Sequence, residues 1–279
     1  MCEFCTQHGE GKKWYLNAKN YSTELLNDLS RIKFIEEFYH EVVHKGNRTI
    51  SIFEKKLLKQ MGIGIPDSYK QKIITDSKES HYGQVVPLED VEKILSMCSS
   101  IVRITCGCRW AKEKKESRLC YGISFSPTAW YNYIDLGFFG SPHVSSFEQM
   151  TKEEALAHIT ESDQKGYVHS VWTFKTPFIG AICNCDLNYC LAMRSTVGLD
   201  MPTMFKAEYV ASLETDKCNG CQACIEQCQF SAIDYNETTK SCTLDRYKCF
   251  GCGVCRASCS ENAISLQERI LDPVTSTLW

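Results

Sequence analysis

One pattern limits what this chain can be more than any other. Lys217-Cys218-Asn-Gly-Cys221-Gln-Ala-Cys224-Ile-Glu-Gln-Cys228 recurs 31 residues later as Lys248-Cys249-Phe-Gly-Cys252-Gly-Val-Cys255-Arg-Ala-Ser-Cys259, and each copy closes on Ala-Ile. A cysteine every third residue on a tight loop wraps three corners of a four-iron, four-sulfide cage, whose irons each need one thiolate. The fourth cysteine of each run points away and serves the other cage. The spacing therefore predicts one cradle of Cys218, Cys221, Cys224 and Cys259, and a second of Cys249, Cys252, Cys255 and Cys228. Gly220, Gly251 and Gly253 let the backbone approach the sulfides and donate N–H bonds. Zinc is the competing ligand, but it takes two Cys-x-x-Cys pairs per ion and leaves the repeat without a reason.

At these residues the chain resembles the bacterial-type two-[4Fe-4S] ferredoxins, over Ala207–Ile270. The resemblance implies a ferredoxin-type fold and single low-potential electrons carried by two [4Fe-4S] clusters. Where that family usually has proline after each fourth cysteine, this chain has Gln229 and Ser260. Between the copies, Ile233-Asp-Tyr and Cys242-Thr-Leu read as two short strands around the polar turn 236–240.

Ten of the 18 cysteines lie outside the repeat. Two predicted strands each run into a Cys-x-Cys: Ile101–Thr105 into Cys106-Gly-Cys108-Arg109, and Phe178–Ile182 into Cys183-Asn-Cys185, with Cys190 following. Side chains at i and i+2 share a face of an extended chain, so each pair presents two thiols in one direction. Were the strands neighbours, four or five thiols would converge, with Cys120 near. Crowded thiolates repel, and a metal or cluster relieves them, with Arg109 offsetting residual charge. A redox dithiol or buried packing are the other readings. His169 reads as a satisfied core histidine or, less simply, as a ligand. Cys2, Cys5 and His8 supply three further ligands and need a fourth from elsewhere. His40 and His44 stand at i, i+4 without the acid of a zinc-protease helix and read as solvent-facing.

This region resembles multi-cysteine, ferredoxin-fused proteins of anaerobes, over Val85–Arg194. The matching stretches are Thr105-Cys-Gly-Cys-Arg109, Thr151-Lys-Glu-Glu-Ala155, Gly166-Tyr-Val-His169 and Ile182-Cys-Asn-Cys185. That resemblance implies a shared site rather than a reaction. Such relatives carry a denser cysteine run after Ile-Cys-Asn-Cys, whereas here 186–189 is Asp-Leu-Asn-Tyr, which leaves zinc or a small open site as well as a cluster.

The expected fold class is α+β: a mainly helical region 1–84, an α/β cysteine-rich domain 85–205 and a two-[4Fe-4S] ferredoxin-like domain 206–279. Ser22 caps a predicted long helix with Leu25, Leu29, Ile32, Ile35, Tyr39 and Val42 on one stripe. A second helix runs over Ile52–Lys59 until Gly62-Ile-Gly-Ile-Pro66 breaks it. Pro87 opens another, and Thr151 with Glu154 caps one that ends at Gly166.

With 43% apolar and 23% charged residues the chain is globular, and 31 basic against 34 acidic side chains give no excess for binding nucleic acid. No run reaches the ~18–20 apolar residues of a membrane helix and no leader is read, so a soluble protein of a reducing cytoplasm is expected. The leading reading is electron transfer with a redox partner protein in anaerobic metabolism. A reductase with its catalytic centre at the upstream cysteines, or a redox or metal sensor, are the alternatives.

Overall fold

The computed structural model describes residues 13–58, 64–126, 129–140, 143–144 and 146–278; Cys2, Cys5 and His8 lie outside them. The long helix expected after Ser22 is broken. Ser22 caps a single turn, Thr23–Leu26, and Asp28 then accepts from the Ser30 and Arg31 amides to start α1, Leu29–Phe38. That second cap resets the helical phase and leaves Leu29 81% exposed. A π-turn, Tyr39–His44, runs into α2, Lys45–Leu58, which begins earlier than the expected second helix. After Pro66 comes α3, Asp67–Ser80, a mostly polar helix that hydrophobic periodicity does not reveal.

The centre of the molecule is a seven-stranded sheet in the order β4-β2-β3-β6-β5-β1-β7. Its strands are β1 Gly83–Val85, β2 Ser100–Ile104, β3 Cys120–Ser124, β4 Glu148–Met150, β5 Val168–Thr173, β6 Ile179–Cys185 and β7 Met204–Phe205. All pairs are antiparallel except β1 with β7. The expected boundary between 84 and 85 thus falls inside a strand, and the chain near 204 is the sheet's far edge. Helices α4, Leu88–Met97, and α6, Lys152–Gln164, cover one face, packing Val91, Ile94, Ala155 and Ile159 on Tyr121, Val171 and Ile182. The Thr151–Glu154 capping box starts α6. The opposite face carries Val102, Ile104, Trp172 and Ala181 against Phe38, Tyr39 and Val43 from the N-terminal helices. Every residue of β5 is buried, because neither face meets solvent.

Arg194 ties α2 to this layer. It is 3% exposed and donates to both Glu54 carboxylate oxygens at 2.7 and 2.6 Å and to Asn47 Oδ1 at 2.8 Å. Those bonds hold the Glu54 carboxyl below its ordinary pKa.

The C-terminal part is two short antiparallel ladders. Strand β8, Tyr209–Leu213, pairs with β11, Ile264–Glu268, and β9, Ile233–Asn236, forms a hairpin with β10, Ser241–Leu244. Two small helices, α7 Ala223–Gln227 and α8 Val254–Ala257, come after the three-cysteine loops. In the α/β region, between β2 and β3, lies the short helix α5, Gly107–Glu113. Among the described residues no helix is long and apolar enough to cross a membrane.

Replacing Arg194 with Met should lower stability by about 2 kcal/mol, since Glu54 loses its partner at a half-buried site. Urea unfolding of oxygen-free protein measures this; an unchanged midpoint would remove Arg194 as the tie.

Candidate functional site

The two C-terminal cradles obey the 31-residue symmetry down to single hydrogen bonds. The Ala232 amide donates to Cys228 Sγ at 3.3 Å, and the Ala263 amide to Cys259 Sγ at 3.3 Å. Likewise the Cys242 amide donates to Cys218 Sγ at 3.4 Å, and Ala211 to Cys249 Sγ at 3.5 Å. A Cβ on Gly220 would sit 2.4 Å from the Lys240 carbonyl oxygen, and one on Gly251 1.9 Å from that of Tyr209, both at positive φ. Only glycine lets each loop lie this close to its strand.

Cys218, Cys221, Cys224 and Cys259 line one pocket. Burial first, then the neighbouring Cys255, Cys249 and Cys228, pushes Cys252 well above the ordinary thiol pKa; Cys255, beside Cys249 and Cys228, is raised for the same reasons. Cys228 therefore stands with the second run and Cys259 with the first. Four thiols, backbone N–H donors to sulfur and a side-chain-free loop are the donor set a [4Fe-4S] cluster requires, so the residues fit that group. Cys221 is exposed, whereas Cys249, Cys252 and Cys255 are buried.

Cys242 is a ninth thiol here, its Sγ 3.7 Å from that of Cys224. By the 31-residue offset it stands where the other half has Ala211. It lines the same pocket, and its backbone amide serves the cradle, as the Ala211 amide does in the other half.

Upstream, the cysteines gather by a route different from the one the sequence suggests. Strands β2 and β6 are not neighbours, because β3 lies between them. Cys120, the first residue of β3, pairs with Cys183 across the ladder, and the two Sγ atoms are 3.7 Å apart. Cys183 and Cys185 do share a face of β6, but Cys106 is past the end of β2, capping α5. The first turn of α5 brings Cys106 and Cys108 to the same place. Gly107 permits this close approach, since a Cβ there would meet the Tyr39 ring at 2.7 Å.

Hydrogen bonds from Cys108, Cys120 and Cys185 hold the Cys106 thiol well below its ordinary pKa, and those three partners are raised. Cys190 is lowered by its bond with Cys185. Arg109 lies over the Tyr189 ring at 4.1 Å, pairs with Asp186, and feels the charges of Cys185 and Cys106. Among the described residues, no group of three or more Cys, His, Asp or Glu has single-ion geometry. That holds equally for the C-terminal cradles, since thiolates around a polynuclear cage do not converge on one point.

His169 is not in this group. In the ladder it pairs with Asn184, and Cys183 pairs with Ser170, so alternation sends His169 to the α6 face. There it is fully buried, 2.6 Å from Asn184 Oδ1 and 3.3 Å from Asp163 Oδ1. It is a satisfied core histidine. His40 faces Asp135 at 3.3 Å and is 54% exposed. Sequence reasoning undervalues Cys120; its signal is the strand pattern of Cys120-Tyr-Gly-Ile-Ser124.

The departure from proline after Cys228 has a structural use. Gln229 Nε2 donates to the Gly166 carbonyl at 3.3 Å, and its Oε1 accepts from the Leu187 amide at 3.1 Å. Leu187 is two residues from Cys185, so one side chain joins the loop of the second cradle to the upstream thiols. Phe230, Cys252 and Val254 belong to the same apolar core as Trp172, Ala181 and Cys185, and Arg256 of α8 grips Glu89 of α4 at 2.6 and 2.9 Å.

Two family comparisons match the chain, both as a 4Fe-4S binding domain: one over residues 211–234 and one over 246–262. The C-terminal part thus consists of 4Fe-4S ferredoxin domains after a larger α/β region, and the chemistry of such domains is iron–sulfur electron transfer. No curated protein matches the chain.

Cys224→Ala should cost about four iron per chain, whereas Cys242→Ala should leave iron content unchanged. Equal loss from both would make Cys242 a ligand. His81, stacked beside Trp172, has its pKa lowered to about 4 from 6.5, first by desolvation. The unfolded chain therefore binds its proton more readily, and stability should fall as pH drops from about 6.5 towards 4. His81→Asn should flatten that part of a pH–melting profile; an unaltered profile would assign the effect elsewhere.

Proposed function

We propose that this protein carries electrons between an external redox partner and a third, thiol-held centre, using two [4Fe-4S] clusters bound by its C-terminal cysteines. When bound, those clusters supply one-electron exchange at low potential; the chain supplies position. Exposure of Cys221 favours the first cradle as the docking end. Residues 207–279 hold ten acidic against six basic side chains, which suits a basic patch on the partner. The buried second cradle favours the inward end, with Gln229 as the bridge. The observation that carries this reading is the gathering of Cys106, Cys108, Cys120, Cys183, Cys185 and Cys190 on one sheet face, two residues from that bridge. A reducing cytoplasm and anaerobic metabolism are the setting that suits so many free thiols.

A second reading, a reductase whose catalytic centre is the six-thiol group, is favoured by the cavity of about 380 Å³ that these cysteines border.

Protein purified without oxygen should contain metal beyond the about eight iron of two cubanes. Combined Cys106→Ala and Cys183→Ala should remove that surplus alone. Gln229→Leu should retain all metal yet slow reduction of the upstream centre relative to the cubanes in stopped-flow spectra. No surplus metal in the wild type would defeat the third centre.

A further inference from the structure

The chamber beside the six thiols is far larger than the pocket at the first C-terminal cradle. The pocket lined by Cys218, Cys221, Cys224 and Cys259 measures about 10 Å³, against about 380 Å³ for the upstream chamber. The latter is within the ~300–1,000 Å³ range of small-molecule sites. Thiols line one end. The other end runs between α2 and α3, past Val42, Gly46, Ile50 and Ile73.

The walls select against charge. Near the thiols they are Trp130, Trp172 and Phe174. The charged side chains among the described lining residues are Glu41 and Lys45, which pair with each other one helical turn apart. An anion would face the thiolates unaided, and a cation, though drawn to them, would leave its water for walls that are otherwise mostly apolar, with Glu41 already paired to Lys45. Hydroxyls of Thr49, Ser77, Ser80, Ser195 and Thr203 lie on the lining, and beside the aromatic walls His81 offers a neutral polar contact. His81 Nδ1–H donates to the Thr173 carbonyl at 2.6 Å while the ring stacks on Trp172 at 4.8 Å, so its Nε2 is left as an acceptor. Two π-turns, Tyr39–His44 and Arg194–Gly198, border the chamber and supply Tyr39, Val42 and Ser195 to it. Such turns break helical regularity at a cost and recur at functional sites.

We infer that this chamber binds an uncharged, mostly apolar small molecule with one hydrogen-bond donor, holding it against the thiol centre under the cover of the N-terminal helices. The inference deepens the reductase reading by naming its substrate class; binding itself stands without that reading, and only the chemistry after binding rests on it.

The test uses the full chain, purified and kept without oxygen, with 1-naphthol as probe and 1-naphthalenesulfonate as its charged counterpart. Calorimetry should show one naphthol per chain and markedly weaker sulfonate binding. Naphthol should also alter the paramagnetic spectrum of the upstream centre while leaving the cubane signals alone. Gly46→Leu fills the chamber where a Cβ meets only the flexible end of Leu191 at 2.8 Å, and it removes a helix-interior glycine. Val42→Phe fills it from the neighbouring turn. Each should weaken naphthol about tenfold or more with metal content unchanged. Absent binding, equal binding to both variants, or equal binding of the sulfonate would overturn the inference. Metal confined to the C-terminal cysteines would sink the third centre separately, with the calorimetric comparison still deciding the chamber.

Discussion

Side-chain alternation on β6 governs where chemistry can happen in this molecule. Because helices cover both faces of the central sheet, each successive residue of Ile179–Cys185 must go into one of two buried layers. Ala181, Cys183 and Cys185 enter the layer shared with the N-terminal helices, and Ile182 and Asn184 enter the layer of α4 and α6. A one-residue slip would exchange those sets and scatter the thiols. The antiparallel partner strands lock the register, and Cys120 opposite Cys183 is its direct consequence. The position of His169 obeys the same rule.

What could be read from the chain alone was what is local. The 31-residue repeat, the Thr151–Glu154 box and the helix after Pro87 depend on contacts within a few residues, and each is present. The break at Asp28 was equally local, but the apolar period of Leu25, Leu29 and Ile32 masked it; Asp28 outweighs that period because it satisfies two amides at a helix start. Helix α3 was hidden for the opposite reason. Its sequence, Asp67–Ser80, buries only Ile74 deeply, so it carries little amphipathic signal. The six-thiol group was half legible. Two Cys-x-Cys pairs announce themselves, but strand order does not, and Cys120 enters only because β3 comes between β2 and β6. The chamber was not legible at all, since it depends on how three helices stand off the sheet.

The C-terminal halves show how a repeat loses its symmetry. Offsets of 31 residues relate the loops, the N–H···S bonds and the glycines, so in isolation the two cradles would be near equals. The α/β region removes that equality. It covers the second cradle with the core that holds Phe230, Cys252 and Val254, and leaves Cys221 of the first in solvent. Burial without added charge disfavours the more negative state of any cluster, whereas solvent stabilises it. Surroundings alone therefore set the exposed and covered cradles apart. Arg256, Lys206 and Arg269 stand on the covered side: Arg269 is fully buried and donates to the Cys249 carbonyl at 3.2 Å, and Lys206 donates to the same oxygen at 3.3 Å. Those cations oppose the desolvation that covering brings.

The residues after the fourth cysteines carry the same divergence into the chain. Gln229 and Ser260 occupy equivalent places, yet Ser260 only meets the neighbouring Glu261 at 3.2 Å in solvent, while Gln229 spans to Gly166 and Leu187. Proline at either position would turn the chain as well but could offer neither amide group. Ser260 is exposed, and among the described residues its side chain bonds to Glu261 beside it rather than across to the α/β region. At Gln229 the amide satisfies a backbone carbonyl and a backbone N–H that the contact between the two parts would otherwise strand, and an unpaired pair of that kind is what a buried interface tolerates least. The side chain that departs from the ferredoxin pattern is thus the one that the neighbouring domain requires.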